Sequence, residues 1–274
     1  MKNSPAHLLQ ATREVAAQAA SLVRAMHEKP RTVKHKGRID LVTETDIAVE
    51  VLLKERLLSL VPEAVFIGEE GAHELAAVFQ AGNDVPEYCW VVDPVDGTTN
   101  YAHGLPIVGT AIAFCVHGQP VVGVVELPLM FESWYAAKGC GTFVNNKSVQ
   151  VSKTATLETS LLATGFPYSI EDDVDMVLAR LRSALVHTRG VRRCGAAAVD
   201  LAWLAGGRFD VFYETGLKPW DMAASWCLIT EAGGKVTHMD GSSFTLGRDD
   251  ILATNGIVHE EALAMLNHTS ANSP

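Results

Sequence analysis

From Val108 to Phe143 the chain repeats short stretches rich in Val, Ile and Phe, interrupted by HGQP, LPLMFES and AAKGCG. This pattern predicts an antiparallel meander, with each interruption turning a strand back on its neighbour. Two further apolar segments enter the same region with acids at their ends. VFIG at residues 65–68 is too short for a helix and delivers Glu69 and Glu70, and CWVVD at residues 89–93 runs into Asp93-Pro94-Val95-Asp96-Gly97.

Helical periodicity frames this sheet. Leu8, Leu9, Val15, Ala16, Ala19, Leu22 and Val23 recur on one face with Thr12, which predicts an amphipathic helix from Ser4 to Glu28 stopped by Pro30. A second helix is expected over residues 46–60, capped by Thr43 or Thr45 and ended by Pro62. In the second half, helices are expected at 176–186, 196–205, 220–232 and 258–266, with RFDVFYE and DILATN as strands. A meander followed by alternation implies an α+β part over residues 1–150 and an α/β part over 151–274, joined near Ser148 to Glu158.

With 274 residues, 48% of them apolar, the chain has material for a substantial core. Its 22 basic and 32 acidic residues give a formal charge of −10, which offers no attraction for nucleic acid or an anionic membrane. A phosphorylated substrate would be repelled as well, unless cations reverse the sign locally. The first residues, MKNSPAHLLQATREVAAQAASLV, mix polar groups through their apolar positions, so neither a signal segment nor a spanning helix can be drawn, and a cytoplasmic protein is expected. Cys89, Cys115, Cys140, Cys194 and Cys227 are odd in number and widely spaced, and read as reduced thiols. His35, His73, His103 and His117 read as surface or hydrogen-bonded residues.

The acids carry the chemistry. Asp93 and Asp96 flank a proline, so their carboxylates and the Val95 carbonyl can converge, and Gly97-Thr98-Thr99-Asn100 follows as a small-residue turn suited to phosphate. Glu69, Glu70 and Asp221 supply further carboxylates at the ends of apolar elements. Like charges gathered this closely need cations between them, and an all-oxygen set without Cys or His favours Mg²⁺, or Mn²⁺ as a substitute. Taken singly, the Glu pair reads as a solvated turn and Asp221 as a first-turn helix acid. DPVDGTTN directly after WVV is the segment that packing does not explain.

The chain resembles the inositol monophosphatase family in DLVTETD, FIGEE, WVVDPVDGTTNYAHGLP, GAAAVDLAWLAGGRFDVFYE and PWDMAASWCLITEAGG, in that order. The resemblance implies a layered α-β-α-β-α sandwich of the inositol monophosphatase and fructose-1,6-bisphosphatase type, a homodimer, lithium sensitivity and two to three Mg²⁺ ions per site. It assigns Glu69, Asp93 and the Val95 carbonyl to a first metal, Asp93, Asp96 and Asp221 to a second, and a shared Glu69 to a weaker third. Gly97 and Thr98 would hold phosphate, Thr98 with Asp46 would orient the attacking water, and Glu70 would steer it from behind the first metal. Asp96, the backbone of Gly195 and Ala197, and the Glu214 carboxylate would read the alcohol. Where animal members carry Thr or Ser this chain has Ala196, and the lysine that precedes DLVT in the family corresponds to Lys34 or Lys36.

The implied reaction is hydrolysis of myo-inositol monophosphate by direct attack of metal-activated water. The alternatives are fructose 1,6-bisphosphate, histidinol phosphate or a 3′-phosphoadenosine nucleotide as substrate, or a non-catalytic binding protein on this fold. Histidinol-phosphate and nucleotide members tend to carry Lys near the position of Thr99, which favours the inositol type. A haloacid-dehalogenase-type phosphatase would use a shorter D-x-D-G-T loop near the N-terminus and would have no place for GEE.

Overall fold

The computed structural model describes residues 4–28, 33–35, 41–71, 73–80, 83–167 and 170–267. Helix α1 (Pro5–His27) starts where the Ser4 side chain accepts the His7 N–H and Pro5 takes the first turn. Strands β1 (Val33–His35) and β2 (Leu41–Thr43) pair antiparallel, and α2 (Glu44–Leu60) follows, capped by Thr43. Lys34 lies on β1, and Lys36 is outside the described residues.

The meander is the middle of a seven-stranded sheet whose strands lie in chain order: β3 (Val65–Gly68), β4 (Tyr88–Asp96), β5 (Gly109–Val116), β6 (Gln119–Leu127), β7 (Glu132–Ala137), β8 (Gly141–Val144) and β9 (Lys147–Val149). Only the β3–β4 pair is parallel. The short helix α3 (Thr98–Ala102) separates β4 from β5.

The second half supplies β10 (Leu161–Thr164), α4 (Ile170–His187), β11 (Gly190–Arg192), α5 (Ala197–Ala205), β12 (Val211–Thr215), α6 (Pro219–Glu231), β13 (Lys235–Thr237), β14 (Asp250–Thr254) and α7 (His259–Asn267). Its five strands form a mixed sheet in the order β11-β10-β12-β14-β13.

Three apolar clusters define five layers. α1 and α2 pack through Val23, Val49 and Leu53 on the large-sheet face made by Trp90, Val92, Ile112 and Phe114. The opposite face, with Val91, Ala113 and Val125, meets Leu201, Ala223 and Leu228 of α5 and α6, which also cover Ala163, Phe212 and Ile251 of the small sheet. The outer face of the small sheet, with Leu162, Tyr213 and Leu252, is closed by Ala184 of α4 and Ala262 of α7. The expected α-β-α-β-α sandwich is therefore the observed one. Strand alternation explains it: neighbours along β4 such as Trp90 and Val91 face opposite layers, so both faces need cover. Truncating a buried side chain such as Leu53 to Ala would cost about 2–5 kcal/mol. Among the described residues no helix is long and apolar enough to cross a membrane. All five cysteines are free, with Cys89, Cys115 and Cys227 buried and Cys140 exposed.

Candidate active site

Residues three apart in a regular strand face opposite sides of a sheet. β4 escapes this rule because Asp93 pairs with Ala111 and Asp96 with Gly109, so β4 uses one residue more than β5 over the stretch. The bulge falls at Pro94 and Val95, where proline has no N–H to lose, and the Thr110 hydroxyl donates to the Pro94 carbonyl at 2.8 Å. Asp93 and Asp96 consequently line one cavity. Gly97 then turns the chain at φ 84°, where a Cβ would lie 3.0 Å from both the Ile107 carbonyl and the Ala196 methyl. Sequence reading ended this strand at Asp93, because proline and aspartate resemble a turn, whereas the strand continues to Asp96.

Helix N-termini hold three of the acids. Asp46 is the third residue of α2 and accepts the Thr43 N–H at 2.9 Å and the Thr43 hydroxyl on Oδ2, while Oδ1 accepts the Thr98 hydroxyl at 3.0 Å. Asp221 takes the same place in α6, accepting the Lys218 N–H at 2.7 Å. Asp96 reaches α5 from another element. Ala196 has no side-chain acceptor to cap that helix, and Asp96 accepts the N–H groups of Ala197 at 3.2 Å, Ala198 at 2.8 Å and Val199 at 3.4 Å. Free N–H groups and the helix dipole favour a carboxylate at each place. The N–H groups of Gly97 and Ala197, expected at phosphate and alcohol, both donate to Asp96 here. The Val95 carbonyl, expected at a metal, also lies 3.0 Å from the Thr98 hydroxyl and competes with Asp46 for its single proton.

Glu69, Glu70, Asp93, Thr98, Glu214 and Asp221 share a cavity of about 850 Å³. Burial, followed by the charges of Glu69, Asp96, Asp221 and Asp46, holds Asp93 well above the ordinary carboxylate range. Burial likewise lifts Asp221 to about 7 and Asp96 to about 6, the latter against the pull of its backbone bonds. Asp46 is raised by burial too, with its bonds to Thr43 and Thr98 working the other way. Among the described residues no group of three or more His, Cys, Asp or Glu side chains is already gathered as ion ligands.

A second lobe of about 340 Å³ opens beside Gly195, Ala197 and Glu214. Glu214 lies over Gly165, where a Cβ would sit 2.1 Å from Oε1, so glycine is needed beneath the carboxylate. Burial first, then Asp221 and Asp200, raise Glu214 well above its usual range, with Arg193 opposing.

Two buried acids escaped motif reading. Asp200 lines the second lobe, accepts from Cys194 and leaves Oδ1 without a partner; burial lifts it to about 7. Glu50, 5% exposed, accepts the backbone of the Glu69-Glu70-Gly71 turn. The available signal was an acid at an otherwise apolar helical position in each case.

The sequence model of the Inositol monophosphatase family matches residues 4–273. The chain is 39% identical to the inositol-1-monophosphatase of Synechocystis over 92% of its own length and 85% of that protein. It is also 39% identical to the Nus factor SuhB of Pseudomonas aeruginosa, covering 82% of each. The solved inositol monophosphatase of Anabaena superposes with a TM-score of 0.84 at 35% identity, over 96% of both chains. With the bulged acidic strand, the three acids at helix N-termini and the five-layer sandwich, these likenesses have one consequence: the chain belongs to the inositol monophosphatase family.

Proposed function

We propose that the chain is a Mg²⁺-dependent phosphomonoesterase acting on a small polyol monophosphate, with myo-inositol monophosphate as the first candidate. The observation that carries this reading is the meeting of Glu69, Asp93, Asp96 and Asp221 in one cavity, with Asp46 and Thr98 at its side and Glu214 towards a second lobe.

The acids suit divalent cations. Four carboxylates that repel one another lower their energy when positive charge enters, and oxygen-only donors match Mg²⁺ or Mn²⁺. Glu69, Asp93 and the Val95 carbonyl would hold one ion, Asp93, Asp96 and Asp221 a second, and Glu69 would share a third. When bound, such ions offset phosphate charge, acidify the attacking water and stabilise the leaving oxygen. The protein's own part is placement. Thr98, fixed by Asp46, would orient the water in line with phosphorus, with Glu70 nearby, and the Thr98 N–H would receive the phosphate, joined by that of Gly97 once Asp96 turns from it to an ion. The water oxygen would bond phosphorus as the ester P–O bond breaks, one proton of that water passing to solvent and the departing alcohol taking one from solvent in return.

Asp96, the Gly195 and Ala197 backbone and Glu214 form the alcohol side. A lobe of about 340 Å³ with a buried acid suits a small polyhydroxylated group better than a base, because each desolvated hydroxyl needs a partner. The family likeness supports lithium inhibition and a homodimer, and five free thiols support a reducing compartment such as the cytoplasm.

Phosphate release from a panel of inositol, fructose, histidinol and 3′-nucleotide phosphates, with and without Mg²⁺, tests the reading. The expected result is Mg²⁺-dependent turnover with the highest kcat/KM on inositol monophosphate. A higher value on a nucleotide or histidinol phosphate would replace the substrate, and no release from any ester would leave a binding role on this fold.

A further inference from the structure

Glu69 and Glu70 stand on a turn beyond the end of β3. The buried carboxylate of Glu50 lies beneath that turn, accepting the Glu70 N–H on Oε2 at 2.8 Å and the Gly71 N–H on Oε1 at 2.6 Å. Space has been left for it: a Cβ on Gly68 would come 2.4 Å from Oε2, and one on Gly71 2.8 Å from Oε1. Both oxygens are engaged, in bonds of the short, charge-assisted kind. Glu50 also lies one helical turn after Asp46 on α2, so the helix that fixes Thr98 through one acid grips the Glu69-Glu70 turn through the next.

We infer that Glu50 is a positioning residue for metal binding: its two-pronged hold on the backbone of residues 70 and 71 keeps Glu69 and Glu70 turned into the cavity. The inference rests on the proposed role of Glu69 as a metal ligand. A carboxylate is required because only it offers two acceptors and no donor to two converging N–H groups. A glutamine would keep one bond and press an NH₂ group against the other N–H. The ions would then meet a turn free to move, and affinity would fall while the chemistry at full occupancy stayed nearly intact.

The test follows free Mn²⁺ by electron paramagnetic resonance during titration of the substrate-free protein, comparing wild type, Glu50→Gln and Glu69→Gln. Glu50→Gln is expected to weaken Mn²⁺ binding by about 10- to 100-fold, the range seen when groups that orient metal ligands are removed. The Mg²⁺ concentration for half-maximal activity should rise by the same factor, with kcat at saturating Mg²⁺ within about threefold of wild type. If Glu69→Gln weakens Mn²⁺ binding and Glu50→Gln does not, the positioning role is wrong. If Glu69→Gln changes nothing, or wild type takes up no Mn²⁺, the ligand reading itself fails and the inference with it. A lower Tm with unchanged Mn²⁺ affinity would make Glu50 a stabilising residue only. Should Glu50→Gln not fold, two measurements remain. Gly68→Ala keeps the charge but intrudes on Oε2, and should weaken Mn²⁺ binding in the same direction. In the metal-free wild type the Glu70 and Gly71 amides should exchange slowly with deuterium, and rapid exchange of both overturns the inference.

Discussion

Asp93 holds a charge that its surroundings resist. It is buried and faces the charges of Glu69, Asp96, Asp221 and Asp46, so its worth to the protein must lie in binding rather than in stability. Asp93→Asn is accordingly expected to raise the Tm of the metal-free protein at about pH 8, abolish the further rise on adding Mg²⁺, and cut kcat/KM by more than about a hundredfold. Calorimetry with and without EDTA, beside a phosphate-release assay, reads all three; a lowered metal-free Tm would show that Asp93 stabilises the fold. The same acids set a pH dependence. Asp96 and Asp221 titrate at about 6 and about 7 when folded, against 3.8 ordinarily, so between about pH 4 and pH 7 the folded chain binds protons that the unfolded chain does not. Their contribution to stability is full below pH 4 and lost as pH rises through 6 and 7. The metal-free protein should thus melt lower at about pH 8 than at about pH 5, and saturating Mg²⁺ should remove most of the difference. A metal-free Tm that climbs over this range would contradict the origin given for those values.

At the scale of elements, α6 delivers Asp221 because it lies directly against β6. Gly123 permits the approach: a Cβ there would fall 2.3 Å from the Ala224 carbonyl oxygen, backbone that cannot step aside alone. Gly123→Ala should cost roughly 1–3 kcal/mol in urea unfolding through overpacking, with kcat/KM falling as Asp221 is displaced. An unchanged midpoint would mean that the helix shifts freely. Much of this level was legible beforehand. α1 and α2 follow their apolar periodicity to within two residues, and β3 coincides with VFIG. Other parts were not, for identifiable reasons. β10, β11 and β13 span three or four residues, too few for a period to show. α4 starts at Ile170, six residues before its expected beginning, because its first turn is mostly acidic and Ile170 and Val174 alone were too sparse to show a period. At the site, acids in motif segments could be named from sequence, but Asp96 as the cap of α5 and Glu50 as the grip on residues 70 and 71 depend on contacts 101 and more, or 20 and 21, positions apart.

For the whole molecule, the described residues of the five layers leave an apolar face of α4 exposed. The inner side of α4 contributes Ala184 to the outer cluster of the small sheet, while Val174, Leu178 and Leu185, with the half-buried Leu181, recur at helical spacing along a stripe that the other described residues leave exposed. Leu178 is 55% and Leu185 58% exposed, with Met176 and Val186 exposed beside them. A contiguous apolar stripe on a chain of formal charge −10 is the kind of surface that a second copy covers, since the burial of each such side chain is worth about 1.5–3 kcal/mol. The homodimer proposed from the family likeness therefore has a physical candidate for its contact. Sedimentation of the wild type should give a dimer, and Leu178→Glu combined with Leu185→Glu should give a folded monomer with an unchanged circular dichroism spectrum. The acids proposed to hold the ions lie on β4, on α6 and on the turn after β3, none of them on α4, so the monomer should keep its Mn²⁺ affinity within about twofold. A variant that remains dimeric would move the interface elsewhere, and one that loses Mn²⁺ binding along with its partner would show that the cavity depends on the second chain.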